Sequence, residues 1–163
     1  TAPLYQARWH PREAPLYAVV GAEGRLTVQD LRSFTTCQVI GIPGGECLCF
    51  DWNKYEGMMV ATGSVDGTIR LWDLRTGKTL QIFSGHARAV KDVCWSPWSA
   101  DDLLSASLDM TCRRWSRASL NPLTWMDQQP TEFVTSVDWS QRDPRLIAYA
   151  AWDQGIRLHR FPN

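Results

Sequence analysis

The chain has 163 residues, enough for one ordinary domain with a core, and its 17 basic and 17 acidic side chains leave no net charge. This balance argues against a nucleic-acid partner, and no stretch approaches the ~20 apolar residues of a membrane span, so we expect no direct membrane insertion. Nine tryptophans are a high content. Because aromatic side chains favour pleated, half-buried surfaces, the composition indicates β structure.

One sequence unit recurs four times along the chain. Its copies begin with similar segments, which are Leu4–Pro11, Cys47–Lys54, Val90–Pro97 and Val134–Gln141. The tryptophans in these segments are Trp9, Trp52, Trp95 and Trp139, and they lie 43, 43 and 44 residues apart. Four-stranded propeller blades repeat every 40–45 residues or so, which predicts one such sheet per copy.

Each opening segment carries the same irregular apolar pattern. Val90, Val93 and Trp95 of the third copy show it: the first step is three residues and the second is two. A plain strand alternates by two, so the longer first step predicts a β-bulge at the same place in every copy.

Further strands follow in chain order, separated by turns that begin with an acidic residue. The predicted strands are Leu16–Gly21, 26–30 and Cys37–Ile42 in the first copy, Met58–Gly63, 68–73 and Thr79–Ser84 in the second, Leu103–Ser107, 111–116 and Leu123–Asp127 in the third, and Leu146–Ala151 and 156–160 in the last. The turns are Glu23-Gly24, Asp66-Gly67, Asp109-Met110 and Asp153-Gln154. Such residues tolerate unusual backbone angles or bond to the local backbone. The pattern predicts an all-β fold without long helices.

The reactive residue types form no catalytic or metal-binding pattern. The five cysteines are an odd number, and we expect reduced thiols packed in a cytosolic protein. Cys47 and Cys49 are two apart, which predicts that both lie on one face of a strand. Neither a nucleophile–base pair nor a phosphate loop is visible, so we expect no enzyme, no cofactor, no catalytic residue and no metal site.

The dipeptides Gly85-His86 and Trp72-Asp73, together with Trp115, resemble the WD-repeat family. The resemblance implies a β-propeller with blades at approximately 1–43, 44–86, 87–130 and 131–163. It also implies one buried structural network, made of His86, Ser105, Asp109 and Trp115. A catalytic dyad of His86 and Asp109 is the alternative, but the repeat already explains both residues.

Rings of this family normally have seven blades, so the resemblance implies that four blades are only part of one. The last copy has three predicted strands, and in closed propellers the other end of the chain supplies the fourth. We therefore expect this chain to be a carboxyl half that pairs with a missing amino-terminal half. Pro43 and Pro130 replace the family's histidine and His159 replaces its tryptophan, which predicts turns held only by strand pairing and packing.

A narrower resemblance rests on ordered phrases along the chain. Asp51–Tyr55 followed by Ala61–Arg75, and Thr131–Phe133 followed by Ala150–Leu158, are similar to the family of peroxisomal import receptors for the amino-terminal, type 2 targeting signal. The resemblance implies a cytoplasmic protein that shuttles to the peroxisome, or to the glycosome in organisms that have it. Its partners would be the targeting-signal peptide of matrix cargo and a peroxin co-receptor. Departures include Pro130 and a loop at 42–46 that is about two residues short.

In the WD-repeat family, ligands usually contact the loops between strands four and one and between strands two and three. The corresponding peptide-binding or partner-binding candidates here are Glu46, Val65, Arg88, Leu108, Glu132, Phe133 and Trp152. A tryptophan at a turn tip is either covered by a neighbouring loop or presented to a partner, and we favour presentation. Leu108, Phe133 and Trp152 could form apolar walls for an amphipathic helix, while Glu46 and Glu132 could hold its basic residue.

A different partner is implied by a four-residue motif in the second copy. Trp72-Asp73-Leu74-Arg75 resembles the WDxR motif of substrate receptors for cullin-type ubiquitin ligases, in which the aspartate and arginine bind an adaptor. The alternative function is therefore a substrate receptor or scaffold of such a ligase. The simpler interpretation is that Asp73 and Arg75 form a surface pair at the end of a strand.

Overall fold

The structure is a computed structural model that describes residues 2–153 and 155–162. Within these residues the chain forms fifteen β-strands and no helix, and the strands make four antiparallel sheets. No helix in this part of the chain is therefore long and apolar enough to cross a membrane. The predicted all-β fold is confirmed. Gln154, which the sequence places in the last turn, lies outside the described residues.

Each sheet is a meander whose strands pair in chain order, and we call the sheets blades 1 to 4. Blade 1 contains β1 (Leu4–Trp9), β2 (Leu16–Gly21), β3 (Arg25–Asp30) and β4 (Thr35–Gly41). Blade 2 contains β5 (Cys47–Trp52), β6 (Met59–Ser64), β7 (Ile69–Asp73) and β8 (Lys78–Phe83). Blade 3 contains β9 (Val90–Trp95), β10 (Asp102–Ser107), β11 (Cys112–Ser116) and β12 (Leu123–Asp127). Blade 4 contains β13 (Val134–Trp139), β14 (Leu146–Ala151) and β15 (Ile156–Arg160).

The predicted bulge is present in the first strand of every blade. The register between the first and second strands skips one residue, which is Tyr5, Leu48, Lys91 or Thr135. The bulge also corrects the prediction for Cys47 and Cys49. The extra residue between them reverses the alternation, so the two thiols pack in different apolar clusters on opposite faces of blade 2.

The turns between the second and third strands require a left-handed backbone. Gly24 and Gly67 adopt φ angles of +62° and +79°, and Met110 adopts +66° at the equivalent position of blade 3. Glycine adopts such angles without steric cost, whereas methionine adopts them only at a steric cost. The three turns therefore share one backbone shape, with an acidic residue just before the left-handed position, even in blade 3, where glycine is absent.

The hydrophobic core lies between the blades. Trp52 of blade 2 packs with Leu26 of blade 1, and Trp95 of blade 3 packs with Leu71 of blade 2. Trp139 of blade 4 packs in the same way on blade 3. Each blade is thus an apolar layer between its neighbours, which is why its strands are apolar on both faces rather than on one.

Hydrogen bonds between the first strands of adjacent blades fix the position of one blade against the next. The Phe50 amide donates to Gln6 Oε1 at 2.7 Å, and the Trp95 amide donates to Asp51 Oδ2 at 2.9 Å. The Val137 amide donates to Asp92 Oδ2 at 3.2 Å. These bonds satisfy backbone donors that the sheet itself leaves unpaired, and they hold the four blades side by side.

Candidate functional site

The meander topology brings two kinds of loop to the same end of every blade. Because neighbouring strands are antiparallel, the loops between strands four and one and between strands two and three share one end, which we call the upper end. The loops between strands one and two and between strands three and four form the lower end. All seven partner-binding candidates from the sequence lie at the upper end.

At the upper end the two loop types are joined by one backbone hydrogen bond in each blade. The residue before the turn acid donates its N–H to a carbonyl of the incoming loop. The pairs are Ala22 with Pro3 at 3.0 Å, Val65 with Glu46 at 3.1 Å, Leu108 with Ala89 at 3.0 Å and Trp152 with Phe133 at 3.0 Å. Two of these bonds join two candidates each, Val65 with Glu46 and Trp152 with Phe133, while Leu108 bonds to Ala89, the residue after Arg88.

An aromatic pair marks the upper end of blade 4. The rings of Phe133 and Trp152 have centroids 5.3 Å apart and are tilted by 59°. Phe133 is half-buried, whereas Trp152 is 66% exposed. A neighbouring loop thus supports one side of the Trp152 ring and leaves most of the ring open to solvent. We call this pair the aromatic shelf.

The other candidates differ in how much of the side chain is available. Val65 is 38% exposed and Leu108 is half-buried, so blades 2 and 3 offer smaller apolar surfaces at the same position. Arg88 and Glu132 are exposed. Glu46 is half-buried and accepts a 2.6 Å hydrogen bond from the Tyr5 hydroxyl, which raises the pKa of Tyr5. Glu46 is therefore engaged with blade 1, while Glu132 faces solvent next to the shelf.

The four network residues of blade 3 form one hydrogen-bonded chain. Trp115 Nε1 donates to Ser105 Oγ at 2.8 Å, and Ser105 Oγ lies 2.7 Å from His86 Nε2. His86 Nδ1 lies 2.8 Å from Asp109 Oδ2. Since a carboxylate can only accept, Nδ1 carries the proton and the serine hydroxyl donates to Nε2. The buried side-chain polar atoms of these four network residues thereby have partners.

Burial and hydrogen bonding set the charges in this network. Burial lowers the pKa of His86 even though Asp109 acts in the opposite direction. Burial acts to raise the pKa of Asp109, but hydrogen bonds from His86 and Thr111 outweigh it and hold that pKa below its usual value. At neutral pH the pair is therefore a neutral imidazole and a carboxylate. The His86 side chain is 0% exposed, so the pair is a structural tie that substrate cannot reach.

The turns of blades 2 and 4 are held by an ion pair that sequence reasoning missed. Asp153 accepts from the Thr131 and Gly155 amides at 3.1 and 3.0 Å, and from two nitrogens of Arg157 at 3.0 and 2.7 Å. In blade 2, Asp66 pairs with Arg70 at 2.9 Å. The prediction that pairing and packing alone hold these turns is therefore wrong. The signal was available, because an arginine follows each of these aspartates by four residues.

The lower end carries a cleft between blades 2 and 3. Its volume is about 440 Å³, and its lining residues are Glu56, Gly57, Met58, Met59, Asp73, Arg75, Leu80 and Arg117. Asp73 and Arg75 lie on its rim and are paired only loosely, with Nε of Arg75 3.5 Å from Oδ1 of Asp73. The sequence analysis singled out Asp73 and Arg75 but missed Met58 and Met59, because nothing in the repeat pattern distinguishes these methionines from other apolar residues.

Comparison with known proteins places the fold in context. Residues 36–73 and 77–116 match the family described as WD domain, G-beta repeat. The matches and the repeated four-stranded sheets support the WD-repeat family, whose domains generally bind proteins or peptides and are generally not catalytic. No curated protein matches the chain. The narrower resemblance to peroxisomal import receptors is accordingly not confirmed.

Proposed function

We propose that this protein binds a helical peptide at the upper end of blades 3 and 4, and that the peptide is the type 2 targeting signal of peroxisomal matrix cargo. The observation that carries the proposal is the aromatic shelf, where Trp152 is 66% exposed and rests on Phe133. Buried aromatic anchors dominate the energetics of protein interfaces, and an exposed tryptophan supported from one side is ready to become one. The WD repeats independently suggest a protein-interaction role.

The chemistry of the shelf suits an amphipathic helix with a basic residue. Trp152 and Phe133 offer an apolar surface to the helix, and Leu108 extends it toward blade 3. Glu132 is exposed beside the shelf and could accept a charge-assisted hydrogen bond from an arginine or lysine of the peptide. In the proposed role the protein works in the cytoplasm together with a peroxin co-receptor and shuttles to the peroxisome, or to the glycosome where that organelle exists.

A second candidate function uses the lower end. Under it, the protein is a substrate receptor or scaffold of a cullin-type ubiquitin ligase, and an adaptor docks on Asp73 and Arg75. The observation in its favour is the cleft of about 440 Å³ that both residues line. Because the two candidate functions use opposite ends of the blades, substitutions at one end separate them.

The test measures the affinity of a fluorescent type 2 signal peptide, with and without the co-receptor, for the protein and for its Trp152→Ala variant. Truncating a buried anchor typically costs about 2 kcal/mol, which is a loss of about thirtyfold in affinity. We expect at least this loss for Trp152→Ala, with the circular dichroism spectrum unchanged. A scrambled peptide of the same composition measures nonspecific binding.

The matched control is the double substitution Asp73→Ala with Arg75→Ala at the lower end, which should leave peptide affinity unchanged. A folded Trp152→Ala variant that binds peptide and co-receptor like the wild type would overturn the proposal. If the double variant instead loses a ligase adaptor that the wild type binds, the second candidate function is supported.

A further inference from the structure

The first residue after the third strand occupies an equivalent position in all four blades. Its N–H donates to the carbonyl of the residue just before the second strand, at 2.9, 2.8, 3.0 and 2.9 Å in blades 1 to 4. We call this the closing position, and it holds Leu31, Leu74, Arg117 and Phe161 in chain order. Three of these residues are apolar, and the residue in blade 3 is charged.

An apolar side chain at the closing position fills the lower end of the junction with the preceding blade. Leu74 is 2% exposed and belongs to the apolar cluster between blades 1 and 2. Phe161 is 7% exposed and belongs to the cluster between blades 3 and 4, where its ring centroid lies 5.3 Å from that of Trp125 in blade 3. These two junctions are therefore packed at their lower ends.

Arg117 leaves the corresponding space between blades 2 and 3 open. Its guanidinium group bonds to Glu56 and Asp101, and one of its terminal nitrogens lies 3.2 Å from Met59 Sδ. The cleft of about 440 Å³ lies at this place, and we call it the lower cleft. The lower cleft is therefore a departure from the repeat, in which one charged residue replaces the apolar residue that closes the other two junctions.

Three large apolar side chains line the lower cleft. They are Met58, Met59 and Leu80. Methionine adapts to different ligands because its side chain is unbranched and polarizable. Leu80 is the residue at the bulge of β8 and is 52% exposed, whereas the bulges of β4 and β12 carry Cys37 and Thr124. The cleft thus offers an apolar lining that the other blades lack at this position.

The charge that the cleft leaves open is positive. Glu56 is bonded to Arg117, and the Asp73 carboxylate accepts from the Arg75 amide at 2.9 Å and from the Thr76 hydroxyl at 3.2 Å. Within residues 2–153 and 155–162, by contrast, neither terminal nitrogen of Arg75 has a hydrogen-bond acceptor. A guanidinium group in this state is complementary to a carboxylate, with which it forms charge-assisted hydrogen bonds.

We propose that the lower cleft binds a segment of a partner protein in which a leucine or similar apolar side chain is followed by an acidic residue. The apolar side chain takes the place that Leu74 and Phe161 fill in the other two junctions, and the carboxylate pairs with Arg75. The proposal concerns the lower end and does not depend on peptide binding at the upper end.

The test is an NMR titration of the protein with isotope-labelled methionine methyl groups. The probes are short glycine–serine peptides that contain one leucine and, one to four positions later, one aspartate. We expect the signals of Met58 and Met59 to shift to saturation, whereas those of Met110 at the upper end and Met126 in β12 should stay in place. Replacing the leucine by glycine should weaken binding about tenfold. Replacing the aspartate by lysine should weaken it about fivefold, because Arg75 is largely exposed.

Arg117→Leu tests whether the open closing position makes the site. The leucine should fill the cleft as Leu74 fills its junction, and peptide binding should be lost. The fold should survive, because Glu56 and Asp101 are 47% and 40% exposed and can be hydrated. Arg142→Leu is the matched control, since Arg142 is an exposed arginine in the lower loop of blade 4, outside the cleft.

Arg75→Glu tests the charge independently of the cleft's shape. It should weaken binding of the leucine–aspartate peptides and strengthen binding of the leucine–lysine peptides. Arg32→Glu should change neither affinity. Arg32 occupies the same position in blade 1 and its side chain is also 75% exposed, but it does not line the cleft.

Four outcomes would overturn the proposal. In the first, no leucine–aspartate peptide shifts the Met58 and Met59 signals; in the second, a folded Arg117→Leu variant binds the peptides as tightly as the wild type. In the third, the lysine peptides bind as tightly as the aspartate peptides or more tightly, which would assign the cleft to a basic segment or to no charge preference. In the fourth, the two signals change with protein concentration when no peptide is present, which would assign the cleft to a second copy of the protein. Loss of signal-peptide binding in Trp152→Ala concerns the upper end and is a separate result.

Discussion

Single residues in this protein matter mainly through the buried polar partners that depend on them. The chain from Trp115 through Ser105 and His86 to Asp109 has one proton arrangement in which every donor meets an acceptor. Removing any member leaves its neighbour buried without a partner, and this desolvation penalty exceeds the net contribution of the hydrogen bond itself. In blade 4 the turn aspartate bonds to a partly exposed arginine and to backbone amides, as Asp109 also does, but Pro130 stands in place of the histidine.

Asp109→Ala should therefore destabilise the protein more than Asp153→Ala does. Loss of Asp109 removes the carboxylate acceptor of the buried His86 side chain and leaves only the Thr111 hydroxyl, 3.2 Å from Nδ1, at a cost of about 1–3 kcal/mol. Arg157, by contrast, is 25% exposed and can turn to water when Asp153 is removed. Urea unfolding of both variants at one protein concentration provides the comparison, and Ser105→Ala should behave like Asp109→Ala. Equal losses of unfolding free energy in the two aspartate variants would contradict the argument.

His86 also predicts how stability depends on pH. Burial lowers the pKa of His86 in the folded protein below its value of about 6.5 in an unfolded chain. Between these two pKa values the unfolded chain binds more protons, so the free energy of unfolding should decrease as pH falls below about 6.5. Asp109 adds to this only below about pH 4, where it begins to protonate in the unfolded chain.

The comparison of wild type with His86→Gln isolates this contribution, because all other titrating groups are shared. Unfolding free energies at about pH 7.5 and about pH 5.5 should differ less in the variant than in the wild type. The same pH slope in both proteins would show that His86 is not responsible.

Among the elements, the first strand of each blade carries the most constraints. Its bulge turns one apolar residue toward the preceding blade and the next toward the following blade, so a single strand contributes to two junctions. Its inward-facing side chains then bond to the first strand of the next blade. Asp51 is the most connected of them: it is 1% exposed, pairs with Arg8 and Lys54 at 3.0 and 2.8 Å, and accepts from the Trp95 amide.

Asp51→Ala should consequently weaken the junction between blades 2 and 3. The Trp95 amide would lose its acceptor in a buried position, at a cost of about 1–3 kcal/mol, whereas Arg8 and Lys54 are about one-third exposed and can be hydrated. Asp51→Asn retains an oxygen that can accept from Trp95 and should cost less. Thermal or urea unfolding distinguishes the two variants, and an asparagine variant as unstable as the alanine variant would argue that charge, not the amide acceptor, matters at this position.

For the whole molecule, the array of blades separates two kinds of surface. The upper end carries the aromatic shelf, and the lower end carries the cleft with Asp73 and Arg75. The two candidate functions are therefore tested by substitutions that do not overlap. Trp152→Ala should leave the lower cleft intact, and Asp73→Ala with Arg75→Ala should leave the aromatic shelf intact.

Much of the fold could be predicted from the sequence because each repeat carries the same local pattern of apolar and turn residues. The 43–44 residue spacing of Trp9, Trp52, Trp95 and Trp139 places the first strands, and the three-residue apolar step predicts the bulge that the register shows. Strand bounds differ by only one or two residues, as in β4, which begins at Thr35 rather than Cys37. The positions of the loop candidates follow from the same pattern, since antiparallel strands bring alternate loops to one end.

What the tertiary structure alone decided concerns contacts between distant residues. The faces of Cys47 and Cys49 depend on how the bulge changes side-chain alternation, and the support of Trp152 by Phe133 depends on a hydrogen bond between two loops. Above all, periodicity assigns Trp9 and Trp52 the same role, but one is exposed and the other buried. The physical reason is that burial requires a partner surface: sequence determines which side chains are suited to a junction, and only the packing of neighbouring blades determines which junctions are filled.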